Sequence, residues 1–389
     1  MDSCDVLIVG GGPAGSSCAW GLRQSGLDTL LIDRSTFPRN KLCGGWITPL
    51  VLEALDIGPA AYAPGRVLQP ITGFRLSCID EPQVDIDYGR TISYGILRSE
   101  FDEYLLRRCG ARLREGVPFD SIERTGDGWI VNGDIKARLV VGAGGHFCPV
   151  SRFLGNKASA PSVVAREIEF EMPAAQAAGC SIKGELPELY FCRDLRGYGW
   201  CFRKHDVLTV GIGRMDNHGL SQHCDEFLRF LKRSRNVEVP GKGILGHAYW
   251  LFGHSERAIL DDAILLIGDA AGLAYPESGE GIRPAIESGL IAAHSILSAQ
   301  GDYSASRLEL YRELLNDRLR PKRNALESLG RFIPQSVREI CGRTLLRSHS
   351  FCRNIVCDRW FLRVDERPLA LAEQHPALST QHSANVVSS

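Results

Sequence analysis

The first 33 residues contain the pattern that most restricts how this chain can fold. A short apolar run leads into the sequence GGGPAG at positions 10–15, a small-residue helical pattern follows, and a second apolar run ends at Asp33. Gly10 allows a tight turn, Gly12 lets the backbone approach a pyrophosphate, and Gly15 lets the helix pack closely on the strand. The order strand, glycine turn, helix, strand and acid predicts a dinucleotide-binding βαβ unit in which Asp33 accepts a ribose hydroxyl.

Composition restricts the protein class further. The chain has 389 residues, 44% of them hydrophobic and 23% charged, with a formal net charge of −1. These values predict one large domain or two intimate ones and no nucleic-acid partner. The nucleotide-binding pattern begins within five residues and no apolar run approaches the about 20 residues of a membrane span, so we expect a cytoplasmic protein. Thirteen scattered cysteines show no CxxC pair or metal-ligand spacing, and they predict reduced core thiols rather than a metal site.

A second strong signal lies late in the chain. The apolar run at 263–267 reads as a fully buried strand that delivers Asp269 at its carboxyl end, where open α/β sheets bind their ligands. The sequence PESGEGI follows at 276–282 and opens a long small-residue helix. Glycines at a helix start predict backbone N–H groups that face a ligand.

A loop near the first fingerprint carries a candidate reactive cysteine. Cys43 is followed by Gly44 and Gly45, whose backbone can approach a ligand closely, and Arg39 and Lys41 precede it. Those two cations are expected to favour the thiolate over the thiol. Position alone favours the alternative, an ordinary loop cysteine.

Residues 162–213 form a strand-rich block with an aromatic stripe. Alternation along one strand places Tyr198, Trp200 and Phe202 on the same face. Such a stripe is most often core, and it also fits the wall of an apolar ligand pocket.

The C-terminal part reads as helical and basic from Tyr303 onward, with an apolar stripe that includes Ile333, Val337 and Ile340. A solvated helical cap is the favoured interpretation, and peripheral contact with a membrane surface is the alternative. Beyond about His375 the tail lacks core-forming residues and is expected to be disordered.

Read together, these motifs resemble the flavoprotein group typified by p-hydroxybenzoate hydroxylase, and within it the geranylgeranyl reductase family. The loop at 38–45 matches PxxKxCGG, the stripe at 198–204 matches YxWxFPK, and residues 276–282 are similar to PxTGEGI. Two departures stand out: Arg203 replaces the proline of FPK, and Gly144 replaces the aspartate of an ADG motif. Flavin halogenases of the same fold carry WxWxIP, of which only Trp200 is kept.

The resemblance implies an α/β fold with a Rossmann-type FAD-binding domain, an inserted antiparallel β-sheet substrate domain and a C-terminal helical region. The implied ranges are 1–70, 95–160 and 255–300 for the FAD-binding domain, 71–94 and 161–254 for the substrate domain, 301–375 for the C-terminal helices and 376–389 for the tail.

The resemblance also implies an FAD-dependent oxidoreductase that reduces carbon–carbon double bonds of an isoprenoid, with NAD(P)H or ferredoxin as a transient electron donor. A small apolar molecule is the expected substrate, held by Tyr198, Trp200 and Phe202, and Cys43 is the candidate proton donor or relay. The implied FAD-binding residues are Gly10, Gly12, Pro13, Ala14, Gly15, Asp33, Arg34, Cys43, Gly44, Arg98, Asp269, Gly279, Gly281 and Ile282.

Two alternatives stay open at this point. One is a monooxygenase of the same fold that hydroxylates an aromatic or polyketide-like substrate, and the other is a flavin-binding protein without turnover.

Overall fold

The computed structural model describes residues 1–157, 162–216, 219–254, 256–319 and 334–371. The strands are β1 (Asp2–Val9), β2 (Thr29–Asp33), β3 (Trp46–Ile47), β4 (Leu68–Ile71), β5 (Gly73–Cys78), β6 (Val84–Asp87), β7 (Ser93–Ile96), β8 (Arg112–Glu115), β9 (Ile122–Thr125), β10 (Gly128–Val131), β11 (Ile135–Gly142), β12 (Val163–Glu171), β13 (Glu188–Phe191), β14 (Gly197–Lys204), β15 (Val207–Arg214), β16 (Leu245–Tyr249), β17 (Leu260–Asp261) and β18 (Ile264–Leu266). The helices are α1 (Pro13–Leu22), α2 (Pro49–Ala54), α3 (Pro59–Tyr62), α4 (Arg98–Arg108), α5 (Pro149–Phe153), α6 (Ala174–Gly179), α7 (Leu220–Arg235), α8 (Ile282–Ser298), α9 (Ala305–Leu319), α10 (Gln335–Leu345) and α11 (His349–Phe351), followed by a π-helical stretch at Cys352–Leu362.

The first sheet is the predicted nucleotide-binding sheet. Its main path runs β17-β18-β11-β1-β2-β8, and β1, β2, β8, β11 and β18 are parallel neighbours. Its central strands are apolar and buried in one core cluster with residues of α1, α8 and α9. Helices α1 and α8 approach so closely that a Cβ on Gly289 would lie 2.4 Å from the Ala14 carbonyl oxygen. The small residues at both helix surfaces therefore bring the two halves of the nucleotide site together.

The second sheet is built mainly from the strand-rich block. Its order is β16-β12-β15-β14-β13-β5-β6, and all its pairs are antiparallel except β5 with β13. The expected antiparallel sheet is therefore mixed at one pair. One face packs against α7, where Tyr190 contacts Phe227 and Phe230. The other face carries Tyr198 and Trp200, and it is turned toward the cysteine loop. The α/β class with an inserted second sheet is confirmed, while the domain boundaries stay a prediction.

The C-terminal helices contact both sheets. In α9 the Tyr311 hydroxyl donates to the Leu266 carbonyl at 2.7 Å, at the end of β18. The π-helical stretch places Phe361 against Trp46 and Phe74, next to the second sheet. The predicted helical region is thus present from 305 to 319 and from 335 to 362, while Ile333 and the predicted disordered tail lie outside the described residues. Within the described residues, the helices are too short or too polar to cross a bilayer.

Candidate active site

Three loops of the nucleotide sheet meet at one edge. β1, β11 and β18 end together, and the Ala143 amide donates to the Val9 carbonyl at 2.8 Å. Gly10 adopts φ +119°, and a Cβ there would lie 2.4 Å from the Ala143 carbonyl oxygen. Gly15 has no room for a Cβ either, because one would lie 1.9 Å from the Gly10 carbonyl oxygen. The first and third fingerprint glycines therefore have the steric roles that the sequence predicts.

The start of α1 is open for an anion. Gly12 precedes the helix and Pro13 and Ala14 begin it, so the first turn offers backbone N–H groups without a capping side chain. Asp33 accepts from the Gly11 amide at 2.7 Å, which places its carboxylate beside this turn. Arg34, the next residue, is exposed.

The second nucleotide-binding segment faces the first. Asp269 lies in a short 3-10 turn after β18, and its Oδ1 is 3.3 Å from the position that a Cβ on Gly281 would take. Gly279 adopts φ +69°, and a Cβ there would lie 2.4 Å from the Tyr249 hydroxyl. Ile282 begins α8 and is buried. The backbone at Gly279 and Gly281 can therefore approach a ligand only because these two residues carry no side chains.

Arg98 is the first residue of α4 and lies at the centre of a buried ion pair. Its guanidinium donates two hydrogen bonds to the Asp102 carboxylate, both at 2.7 Å. Arg39 adds a third contact to the same carboxylate at 3.2 Å. Arg98 also faces the Cys43 thiol, so it connects the helix to the cysteine loop.

The cysteine loop lies against the aromatic strand. A Cβ on Gly44 would lie 3.4 Å from the Phe202 ring and 3.6 Å from the Trp200 indole nitrogen. The Cys43 amide donates to a carboxylate oxygen of Glu167, which comes from β12. Cys43 is thus held between the nucleotide-binding part and the second sheet.

The expectation of a Cys43 thiolate is wrong. Burial raises the pKa of the Cys43 thiol above its ordinary value, and this effect outweighs the nearby Arg98 guanidinium. Arg39, one of the two cations expected to favour the thiolate, binds Asp102 instead. A protonated thiol at this position is a proton donor rather than a nucleophile.

A large cavity adjoins the site. It has a volume of about 1090 Å³ and lies between the second sheet, the loop at 276–279 and the C-terminal helices. Its apolar lining comes from Val163, Phe191, Leu195, Tyr198, Met215, Tyr249, Leu251, Phe252, Pro276, Leu346, Phe351 and Trp360.

The aromatic stripe divides between this cavity and the cysteine loop. Tyr198 lines the cavity, and its hydroxyl donates to the Ser278 carbonyl oxygen. Trp200 and Phe202 do not line the cavity and instead pack against Gly44. The three residues share one face of β14, yet only the first borders the cavity.

Three titratable residues of this region were missed by the sequence analysis. Burial raises the pKa of the Glu167 carboxyl to about 7 and that of the Glu280 carboxyl to about 7. Burial also holds the pKa of the Tyr249 hydroxyl well above its ordinary value. A signal for Glu167 is present in the sequence, because it occupies an inward position of β12, in alternation with Val163 and Ala165.

The nucleotide end of the site fits FAD. The glycine turn lacks space for side chains, the start of α1 is uncapped, the Asp33 carboxylate lies beside this turn and the Asp269 carboxylate lies beside Gly281. Residues 3–183 match a family model described as FAD binding domain. The fold and this cleft define an FAD-binding flavoprotein, and the protein binds FAD.

Comparison with curated proteins shows which reductases the chain resembles. The chain is 28% identical over 339 residues to digeranylgeranylglycerophospholipid reductase 1 of Methanothermobacter thermautotrophicus, covering 81% of this chain and 83% of that protein. It is 29% identical over 315 residues to menaquinone reductase of Mycobacterium tuberculosis, covering 75% and 76%. The chain is thus similar to curated reductases that act on isoprenoid lipids or quinones by name, and it resembles the geranylgeranyl reductase family of FAD-dependent oxidoreductases.

Solved structures support the fold. A geranylgeranyl bacteriochlorophyll reductase-like protein of Thermoplasma acidophilum superposes with a TM-score of 0.70 at 22% identity, covering 89% of this chain and 88% of that one. An FAD complex of the halogenase PltM superposes with a TM-score of 0.63 at 18% identity, covering 81% and 74%. The fold is therefore shared by reductases and halogenases, and the reaction has to be argued from the site.

Proposed function

We propose that this protein reduces carbon–carbon double bonds of an isoprenoid lipid. The observation that carries the proposal is that the Cys43 loop lies near two tyrosines that line a large cavity beside the nucleotide cleft. Tyr198 and Tyr249 form part of the cavity wall and also lie near Cys43. A prenyl chain in the cavity is thereby directed toward the thiol.

The chain's residues supply what an alkene reduction needs besides a hydride. Bound and reduced FAD supplies the hydride. An unactivated alkene is a poor hydride acceptor, so a proton has to arrive at the other carbon. Burial raises the pKa of the partly buried Cys43 thiol, which favours its protonated form, and Cys43 gives this proton. Trp200 and Phe202 cover the loop beside it and exclude water from the reacting atoms.

The remaining assignments follow the geometry of the cleft. The start of α1 binds the FAD pyrophosphate, Asp33 binds the adenosine ribose and Asp269 binds the ribityl chain. An electron donor such as NAD(P)H or ferredoxin would have to bind transiently, because the sequence has one dinucleotide fingerprint and FAD would take it.

Anaerobic turnover separates this proposal from a monooxygenase. FAD-loaded protein given NADPH or reduced ferredoxin and a geranylgeranyl lipid is expected to add two hydrogens per double bond without oxygen, because hydride and proton both come from within the site. Mass spectrometry of the extracted lipid measures the product. Oxygen-dependent hydroxylation of an aromatic substrate, with no saturation of the lipid, would refute the reductase.

The cavity rim suggests how an apolar substrate arrives. Gly342 and Leu346 line the cavity, and the same segment exposes Val337, Ile340 and Leu345 to solvent, with Ile340 65% exposed. An exposed apolar helix face beside a lipid-sized cavity fits peripheral contact with a membrane surface. The function therefore includes uptake of the substrate from a bilayer through this rim.

We expect Ile340→Asp to weaken binding to vesicles of phosphatidylcholine and phosphatidylglycerol roughly tenfold, because a charge replaces an inserted apolar side chain. Co-sedimentation measures the effect. Phe153→Asp is the matched control, since Phe153 is also an exposed apolar residue but lies on α5, away from the cavity. If Ile340→Asp and Phe153→Asp bound the vesicles with equal affinity, the membrane contact would lie elsewhere on the protein.

A further inference from the structure

One buried carboxyl group of the site has no part in the reaction described above. Glu167 projects from β12 with its side chain 1% exposed. Its Oε1 accepts from the Cys43 amide, whereas its Oε2 is buried without a hydrogen-bond partner. A buried carboxylate oxygen without a partner costs about 1–3 kcal/mol or more, so the protonated form of this group is favoured. The structure therefore keeps a second acidic proton on a residue that contacts the cysteine backbone.

We propose that Glu167 returns a proton to Cys43 after each turnover, an inference that rests on the proposed reductase function. Cys43 becomes a buried thiolate when its S–H bond breaks and its proton moves to the substrate carbon. The Glu167 O–H bond then breaks, an S–H bond forms again, and a carboxylate remains. Water from solvent restores the carboxyl proton, so the cycle consumes one proton from water and leaves both side chains unchanged.

The surroundings of Glu167 fit this role. Burial raises the pKa of its carboxyl to about 7, and Lys204 opposes the rise without cancelling it. The group therefore gains and loses its proton near neutral pH. Solvent reaches the same strand face at Glu169, whose side chain is 31% exposed and binds Lys204 at 2.8 Å. The charged or titratable groups that face Glu167 are Cys43, Arg98, Glu169, Lys204 and Tyr249.

Glu167 acts through Cys43, so it is a positioning residue, and its test needs a readout that a structural role would not change. In the wild-type holoenzyme, kcat is expected to fall as pH rises through about 7, because the donor carboxyl is lost. In Glu167→Gln, kcat is expected to be at least about tenfold lower and this pH limb to be absent. Glu167→Asp keeps a carboxyl and is expected to keep the limb. Glu171→Gln, an exposed carboxyl of the same strand, is the control that should match wild type.

A second readout does not depend on substrate. Alkylation of Cys43 by iodoacetamide, followed by peptide mass spectrometry across pH, reports how readily the thiolate forms. The Glu167 carboxylate raises the pKa of the Cys43 thiol, so Glu167→Gln is expected to move the alkylation midpoint to lower pH. An unchanged midpoint, or a pH limb that persists in Glu167→Gln, overturns the proposal. Failure of the wild-type protein to reduce an isoprenoid would refute the proposed function instead, and the alkylation result would still decide whether the two groups are coupled.

Discussion

Replacing Cys43 by alanine is expected to lower kcat for alkene reduction by about 10²–10⁴-fold, the usual contribution of a positioned general acid. The structure gives the reason: burial raises the pKa of the thiol, and the thiol lies near Tyr198 and Tyr249 of the cavity wall. FAD binding should be nearly unchanged, because the neighbouring backbone at Gly44 and Gly45 remains. Single-turnover kinetics with pre-reduced enzyme measure the chemical step alone.

Two variants make the Cys43 result interpretable. Cys43→Ser keeps an O–H group, yet its proton is far less acidic, so kcat should stay well below that of wild type. Cys341→Ala removes an exposed cysteine and should behave as wild type. Turnover by Cys43→Ala at the wild-type rate would remove this residue from the mechanism and leave the proton to come from another group.

The nucleotide-binding half could be predicted because its signals are local. The turn and the close helix packing require glycine at positions 10, 12 and 15, all within one βαβ unit. The steric requirements of the nucleotide-binding turn can therefore be predicted almost entirely from the local sequence. Asp269 could be placed for the same reason, since a buried parallel strand delivers its next residue to the ligand edge. The fold and the FAD cofactor could be predicted correctly because both depend on these short-range patterns.

The chemistry of the second half depends on contacts between distant segments. Glu167 is 124 residues from the cysteine whose amide it binds, and no local pattern pairs them. The prediction of a Cys43 thiolate was wrong because the sequence neighbours Arg39 and Lys41 indicated a positive field, whereas desolvation by burial has the largest effect on the pKa of this thiol. Trp200 and Phe202 share a strand face with Tyr198, but the position of the cysteine loop decides which of them reach the cavity.

The other large effect is expected at Gly10, where Gly10→Ala should weaken FAD binding by at least roughly 100-fold. An L-residue at φ +119° is strained by about 1–3 kcal/mol, and the new Cβ would also lie 2.4 Å from the Ala143 carbonyl oxygen. That oxygen belongs to the loop after β11, which the Ala143 amide fixes to β1, so the clash displaces the turn that binds the pyrophosphate. Fluorescence titration with FAD measures the affinity.

Gly26→Ala separates the two causes of the Gly10 effect. Gly26 also has a positive φ, +78°, but a Cβ there would meet no atom within 4 Å. The Gly26→Ala variant should therefore show backbone strain alone. Its stability should fall slightly, and its FAD affinity should equal that of wild type. FAD raises the unfolding temperature of a protein that binds it, so the two variants should differ most in that ligand-induced shift. A Gly10→Ala protein that keeps the wild-type shift would show that the turn can move without losing the cofactor, and the fingerprint glycine would then serve packing rather than binding.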